Sequence, residues 1–466
     1  MMKEDTIVAI ATPPGRGGIG VVRLSGGQAM EVSSQLVRPA KLPPEAQRST
    51  LGKFVDPQTG KVLDEVVLTF YRKPHSYTGE DVVEISCHGS PVVLRYLVEC
   101  CLERGARAAE PGEFAMRAFL NGRIDLTQAE AIRDLIESRT LYQARVAATQ
   151  IGGSLSAWLK PHKQALLDLI ARLEAGIDFA DDDVEVVDLN DLLSHLDGVK
   201  ANLEKMVQGY AYGRIVREGL SLSIIGRPNV GKSSLFNRLL NMDRAIVTDI
   251  PGTTRDLVTE SASIGGIPVH LVDTAGIRAT ADAVEKIGVE RTHQAMADSD
   301  LRLLVVDTSQ DWTEEDSELL LKTRRMGSML VAANKSDLPA RTCATAIEQA
   351  ILADDGGGPG PVEILVTSAL TGQGIEELRN RILRAAGAAN GPGSEGELVT
   401  NLRHQQLLQE SLQAIERCRQ AAGERIHHEM LLIDLYDALR PLDTVTGSTD
   451  VEDILGIIFS RFCIGK

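Results

Sequence analysis

The chain has 466 residues, room for roughly three domains at about 150 residues each. Hydrophobic residues make up 43% and charged residues 24%, the balance of a folded globular protein, which excludes disordered and fibrous classes. With 49 Lys and Arg against 65 Asp and Glu, the net charge of −16 leaves nucleic-acid binding to local basic patches and not to overall charge.

The N-terminal run MMKEDTIVAIATPPG places acidic residues ahead of any long apolar stretch, so no signal peptide is expected. No run reaches the ~18 apolar residues of a membrane span. The 6 cysteines, at positions 87, 100, 101, 343, 418 and 463, have neither CxxC nor metal-ligand spacing, which argues against a disulfide framework and a zinc site. A cytoplasmic protein with reduced thiols and no membrane partner is expected.

Residues 1–118 read as a first α/β domain, with β-rich runs TIVAIAT, GVVRLSG, EVVLTFY and DVVEIS and a helical stretch at SPVVLRYLVECCLERG. Within it GRGGIG (15–20) fits G-x-G-x-x-G, but a strand-like VVRLSG follows where a helix is needed, so a dinucleotide site is rejected. Residues 119–215 are helical, with three-and-four spacing in LTQAEAIRDLIESRT and QALLDLIARLEAGI. From 216 to 386 the apolar runs LSLSIIG, IPVHLVD, LRLLVVD, SMLVAANK and VEILVTSA alternate with helical stretches, the pattern of a mostly parallel sheet with crossover helices. Residues 387–466 open on the linker GAANGPGSEGE and return to helix at LRHQQLLQESLQAIERCRQ. Neither helical segment carries a core of its own. They are predicted to pack together, with the second α/β domain inserted between them.

GRPNVGKS (226–233) matches G-x-x-x-x-G-K-[ST], with a strand before it and a helical pattern after it. Gly226 and Gly231 allow the backbone to bend, so that amides from Asn229, Val230, Gly231 and Lys232 through Ser233 and Ser234 can face phosphates. Lys232 supplies charge and Ser233 a magnesium-ligating hydroxyl. Downstream, TDIPGTTRD (248–256) offers Thr248, Asp249, Ile250, Pro251, Gly252, Thr253 and Thr254, the last the expected switch ligand for magnesium. DTAG follows a strand, so that Asp273 can reach the metal shell and Gly276 the γ-phosphate, with Thr274 and Ala275 between them as nucleotide-binding positions. NKSD places Asn334, Lys335 and Asp337 after another strand, and an ionised carboxylate suits the donor pair of guanine that adenine lacks. Ser368, Ala369 and Leu370 close over the base. These motifs, in this order, predict a Ras-like P-loop GTPase domain. Ile277 stands where a water-orienting glutamine would sit, which leaves Arg278, Asp282 and Glu285 as candidates for that task, each set against a plain solvated charge.

The ending FSRFCIGK has the outline of a prenylation box, but the final Lys466 and the absence of an upstream basic cluster reject it. From the residues alone Cys463 is either a buried structural thiol or a reactive one, activated by Lys466 or Arg461.

ATPPGRGG, PGEF with RAFLNGRIDLTQAEA, GRPNVGKSS, TDIPGTTRD, DTAGIR, NKSD and the terminal CIGK together resemble the MnmE (TrmE) family of tRNA-modification GTPases over essentially the whole chain. The resemblance implies a potassium-activated GTPase that installs an aminomethyl-type group on carbon 5 of the wobble uridine of certain tRNAs. It implies a flavoprotein partner, MnmG, in a heterotetramer or larger complex, and a constitutive homodimer. Asn229, Thr248, Ile250 and Thr253 would cage a potassium ion in place of an arginine finger, and Glu285 would orient water once two GTPase domains meet. The first domain resembles the family's tetrahydrofolate-binding domain, with Arg23, Glu84, Arg123 and Lys466 at positions that contact 5-formyltetrahydrofolate or a related tetrahydrofolate. Position 123 is lysine in some relatives, and the charge is retained. CIGK is the family's C-terminal signature, which makes Cys463 a candidate reactive thiol. Two other readings stand beside this one: a GTP-controlled ribosome-assembly switch, and a first domain that serves dimerisation alone.

Overall fold

The computed structural model describes residues 5–40, 45–178, 189–242, 259–273, 298–352, 362–385, 387, 398–424, 427–448, 458–459, 462 and 465. The chain divides into two compact units, one of Met1–Arg133, Ile151–Ser156 and Asp443–Lys466, the other of Asp134–Gln150 and Ala157–Leu442.

The first unit is built on strands β1 (Ile7–Ile10), β2 (Gly17–Ser25), β3 (Val37–Pro39), β4 (Ser49–Val55), β5 (Val62–Tyr71), β6 (Val82–Gly89) and β7 (Arg107–Ala108). They form one sheet in the order β3-β4-β5-β6-β2-β1-β7, antiparallel throughout except where β7 joins β1. The period of two sorts the side chains. Val8, Val22, Leu24 and Ile85 turn to one face and share a core with Leu94 and Leu97 of helix α2 (Pro91–Leu102), while Ile7 and Ala9 turn to the other and pack with Phe114 and Tyr77. The last four residues of GRGGIG open β2, so strand and not helix follows the rejected dinucleotide pattern. β3 and β4 were not expected from the sequence: a Pro and a Gly inside short runs weaken their strand pattern.

α1 (Ala29–Ser34) and α3 (Glu113–Leu120) complete that unit's early helices, and α4 (Leu126–Glu137), α5 (Leu141–Ile151), α6 (Ser154–Asp178) and α7 (Leu189–Glu218) fill the predicted helical stretch. The final residues return to the first unit, where Ile458, Phe459 and Phe462 bury against Ala115, Leu126 and Ala129.

In the second unit α7 runs directly into β8 (Leu220–Ile225). After it come α8 (Lys232–Met242), β9 (Thr259–Ile264), β10 (Ile267–Asp273), β11 (Leu301–Asp307), α9 (Glu314–Met326), β12 (Met329–Asn334), α10 (Ala344–Leu352), β13 (Glu363–Val366) and α11 (Ile375–Ala385). The sheet order is β13-β12-β11-β8-β10-β9, all parallel except the β9–β10 hairpin. The sequence reading passed over β9, whose polar TESASI lacks an apolar run; its legible sign was the Gly265–Gly266 pair of a two-residue hairpin turn. Helices α12 (Leu402–Gly423) and α13 (His428–Thr446) follow the sheet domain. α12 packs along α7, with Lys200 paired to Glu416 and Arg419 to Asp197, and Ser411 donates to the Ala438 carbonyl of α13. Helical segments from either side of the sheet domain thus pack against each other through α7 and α12. Among the described residues no helix is long and apolar enough to cross a membrane.

Candidate functional site

Loops leaving the carboxyl ends of β8, β11, β12 and β13 lie along one edge of the parallel sheet, where such folds bind ligands. The loop after β8 turns sharply at Asn229, at φ 64°, before Lys232 opens α8. Gly231 follows at φ 99°, and a Cβ there would lie 2.3 Å from the Asn334 side-chain nitrogen. Only glycine permits that approach. The Lys232 ammonium donates to the Gly226 and Arg227 carbonyls, both at 2.7 Å, and so stays over the loop. Arg227 pairs at 2.7 Å with Asp316, which also caps α9.

Asn334, 1% exposed, joins this loop to the base-reading loops. Its amide nitrogen donates to the Val230 carbonyl at 2.9 Å, and its oxygen accepts from the Ala369 amide at 3.1 Å. Ser368 donates to the Asp337 carboxylate and accepts from the Thr371 amide, so the carboxylate and the SAL turn are held together. Leu370 projects outward at 79% exposure. Lys335, itself at φ 66°, donates to the Asn229 carbonyl at 2.9 Å and to Asp307 at 2.7 Å. Burial works to raise the Asp307 carboxyl, but the Lys335 ammonium and the Ser309 hydroxyl and amide outweigh it and hold it below the usual carboxylate range. Asp307 stood outside every motif; its one sign was a strand ending in Asp, as β10 also does.

The structure therefore brings together Asn229, Val230, Gly231, Lys232, Ser233 and Ser234 with Asn334, Lys335, Asp337, Ser368, Ala369 and Leu370. Asp273 closes β10, and only its backbone is described. Thr248, Asp249, Ile250, Pro251, Gly252, Thr253, Thr254, Thr274, Ala275, Gly276 and Glu285 lie outside the described residues, as do Cys463 and Lys466. A carboxylate such as Asp337 finds a donor pair on guanine and none on adenine, and the class this face defines is a P-loop GTPase.

On the first unit's sheet, Arg23 and Glu84 sit directly opposite each other on β2 and β6, on the face that carries Ala9. The Arg23 guanidinium contacts Glu84 at 2.7 Å, lies 5.6 Å from the Tyr77 ring centre and 5.7 Å from that of Phe114, and donates to the Gly465 carbonyl at 3.4 Å. Gly465, at φ 98°, is held so close to β1 that a Cβ would meet the Ile10 carbonyl at 2.3 Å. The tail thus reaches the Arg23 pair. Arg123 is exposed on the turn after α3, its aliphatic stem beside Gly79. Around α3 runs a network absent from the sequence reading. Arg117 binds Asp5, Glu80 and Glu113, and Arg107 binds Asp5 and Glu113. Glu113 also accepts from the Glu110 amide. Burial opposes ionisation of Glu113, yet the two guanidiniums keep its carboxyl below the ordinary value.

Two family models match the chain, one described as GTP-binding protein TrmE N-terminus over residues 6–123 and one as MnmE helical domain over residues 126–463. The tRNA modification GTPase MnmE of Koribacter versatilis is 55% identical over 468 residues, covering 100% of both chains. That of Acetivibrio thermocellus is 42% identical over 468 residues with the same coverage, and that of Aquifex aeolicus 42% over 464 residues, 99% of this chain and 100% of the relative. The chain belongs to the MnmE (TrmE) family.

Proposed function

We propose that the chain hydrolyses GTP, and that hydrolysis serves modification of carbon 5 of the wobble uridine of tRNA in the cytoplasm. The observation that carries this reading is the circuit through Asn334, which ties the phosphate loop to the base-reading loops in a chain with full-length MnmE relatives. Asp337 would read guanine, and the amides from Asn229 to Ser234 would face the phosphates with Lys232 as the compact charge.

Two ions belong to the reading. The Ser233 hydroxyl is exposed in the first turn of α8 and has no protein partner among the described residues, which suits a hard cation; magnesium would be held there with Thr254. The exposed Asn229 side-chain amide is likewise without a protein partner among the described residues, and a potassium ion would be held by it with Thr248, Ile250 and Thr253. Bound there, the ions supply positive charge where phosphoryl transfer accumulates negative charge. Glu285 would orient the attacking water when two GTPase domains of a homodimer meet.

Arg23, Glu84, Arg123 and Lys466 would hold 5-formyltetrahydrofolate as the one-carbon source. The Arg23 and Glu84 side chains are 21% and 26% exposed, open enough for a ligand to reach both. Cys463 is proposed as a reactive thiol, and the flavoprotein MnmG as the partner that completes the modifying complex on tRNA. The test is the GTP hydrolysis rate against potassium concentration, with sodium as control and with and without the flavoprotein. Strong stimulation by potassium alone is expected; equal rates in both salts would overturn the caged-ion mechanism, and failure to bind GTP would overturn the nucleotide reading itself.

A further inference from the structure

We infer that Asp307 is a positioning residue for the guanine nucleotide, acting through Lys335 on the turn of the phosphate loop at Asn229; this rests on the nucleotide reading above. Asp307 ends β11 directly opposite Asn334 at the end of β12. Its side chain has 0% exposure, and both carboxylate oxygens are used. One accepts from the Ser309 amide at 2.9 Å and hydroxyl at 2.6 Å, the other from the Lys335 ammonium at 2.7 Å. A buried carboxylate is costly unless paired, so Asp307 commits the lysine to one place.

The same ammonium donates to the Asn229 carbonyl at 2.9 Å. Asn229 and Lys335 hold left-handed backbones at φ 64° and 66°, which residues other than glycine keep only where their surroundings over-determine them. The phosphate loop thereby has two struts on adjacent carbonyls. Asn334 holds that of Val230, and Lys335, fixed by Asp307, holds that of Asn229. Without the Asp307 charge the lysine, whose side chain is 30% exposed, is free to turn to solvent. The Asn229 carbonyl then loses its charged donor, the loop samples other turns, and the amides no longer wait in the arrangement a phosphate needs. Nucleotide release should be the step that reports this.

The experiment measures release of GDP with a fluorescent ribose label from the full chain, for the wild type, Asp307→Asn, Lys335→Met and the double variant. Each single change is expected to speed release by about tenfold, the scale of one charge-assisted hydrogen bond. The double variant should release no faster than the faster single, because both cut the same strut. A rate for Asp307→Asn within about twofold of wild type, or factors that multiply in the double variant, overturns the inference, since a merely structural loss would act independently of Lys335. Where Asp307→Asn does not fold, Asp307→Glu keeps the charge and moves it by one methylene; release about threefold faster is expected, and an unchanged rate overturns the inference. Wild type that binds no labelled GDP would instead sink the nucleotide reading, which separates the two failures.

Discussion

On the nucleotide face the described functional groups sit at or just beyond the carboxyl ends of parallel strands, whereas Arg23 and Glu84 come from within two antiparallel strands and meet only through register. In the first case each loop is a short contiguous motif, and the parallel sheet brings the motifs to one edge. In the second the partners are 61 residues apart, and the tail carbonyl that joins them is 442 residues from Arg23. Crossover topology concentrates local motifs. Antiparallel pairing makes a site out of residues with no local signature.

The comparison can be broken where each region depends on one contact. The largest effect is expected at Glu113, 4% exposed, whose loss leaves Arg117 buried against fewer acids: Glu113→Ala should cost about 3–5 kcal/mol in denaturant unfolding of the first unit, while GTP binding persists. If GTP affinity falls with it, the two regions are not independent. Next is Gly231→Ala, which must displace the Asn334 amide; GTP affinity by calorimetry should fall about 100-fold, with binding of 5-formyltetrahydrofolate unchanged. Gly465→Ala should do the reverse, pushing the tail off β1 and weakening the folate by about tenfold without touching GTP.

The smallest effect is graded with pH. Asp5 and Glu113 have folded-state carboxyl pKa values below their ordinary ones, with burial opposing and the guanidiniums of Arg107 and Arg117 prevailing. Their contribution is therefore complete above the unfolded values and lost as pH falls through about 4 and below. The thermal midpoint of the first unit should drop over that range, and less steeply in Glu113→Gln. A midpoint that instead falls as pH rises from neutral would show that some other group governs this unit.

Much of the nucleotide face was legible because strand, loop and helix appear there in one run of residues, and glycine marks the bend. The same reading missed β9, which lacks apolar alternation, and it passed over Asp307, since a strand-terminal Asp has no meaning until its neighbour is known. The network of Asp5, Glu80, Arg107, Glu113 and Arg117 was invisible for a related reason: charged residues are ordinarily solvated, and nothing in their spacing says that a sheet and a helix will close over them.

By itself the amino-acid sequence determined the succession of α/β and helical segments, most strands of the parallel sheet and the motifs of the phosphate and base loops, because periodicity and turn chemistry act within a few residues. Tertiary structure alone decided that Asn334 and Lys335 brace adjacent carbonyls of the phosphate loop, that Asp307 fixes one of those braces, and that Arg23 faces both Glu84 and the returning tail. Those contacts need sheet register and chain return, which are settled only when a whole core packs.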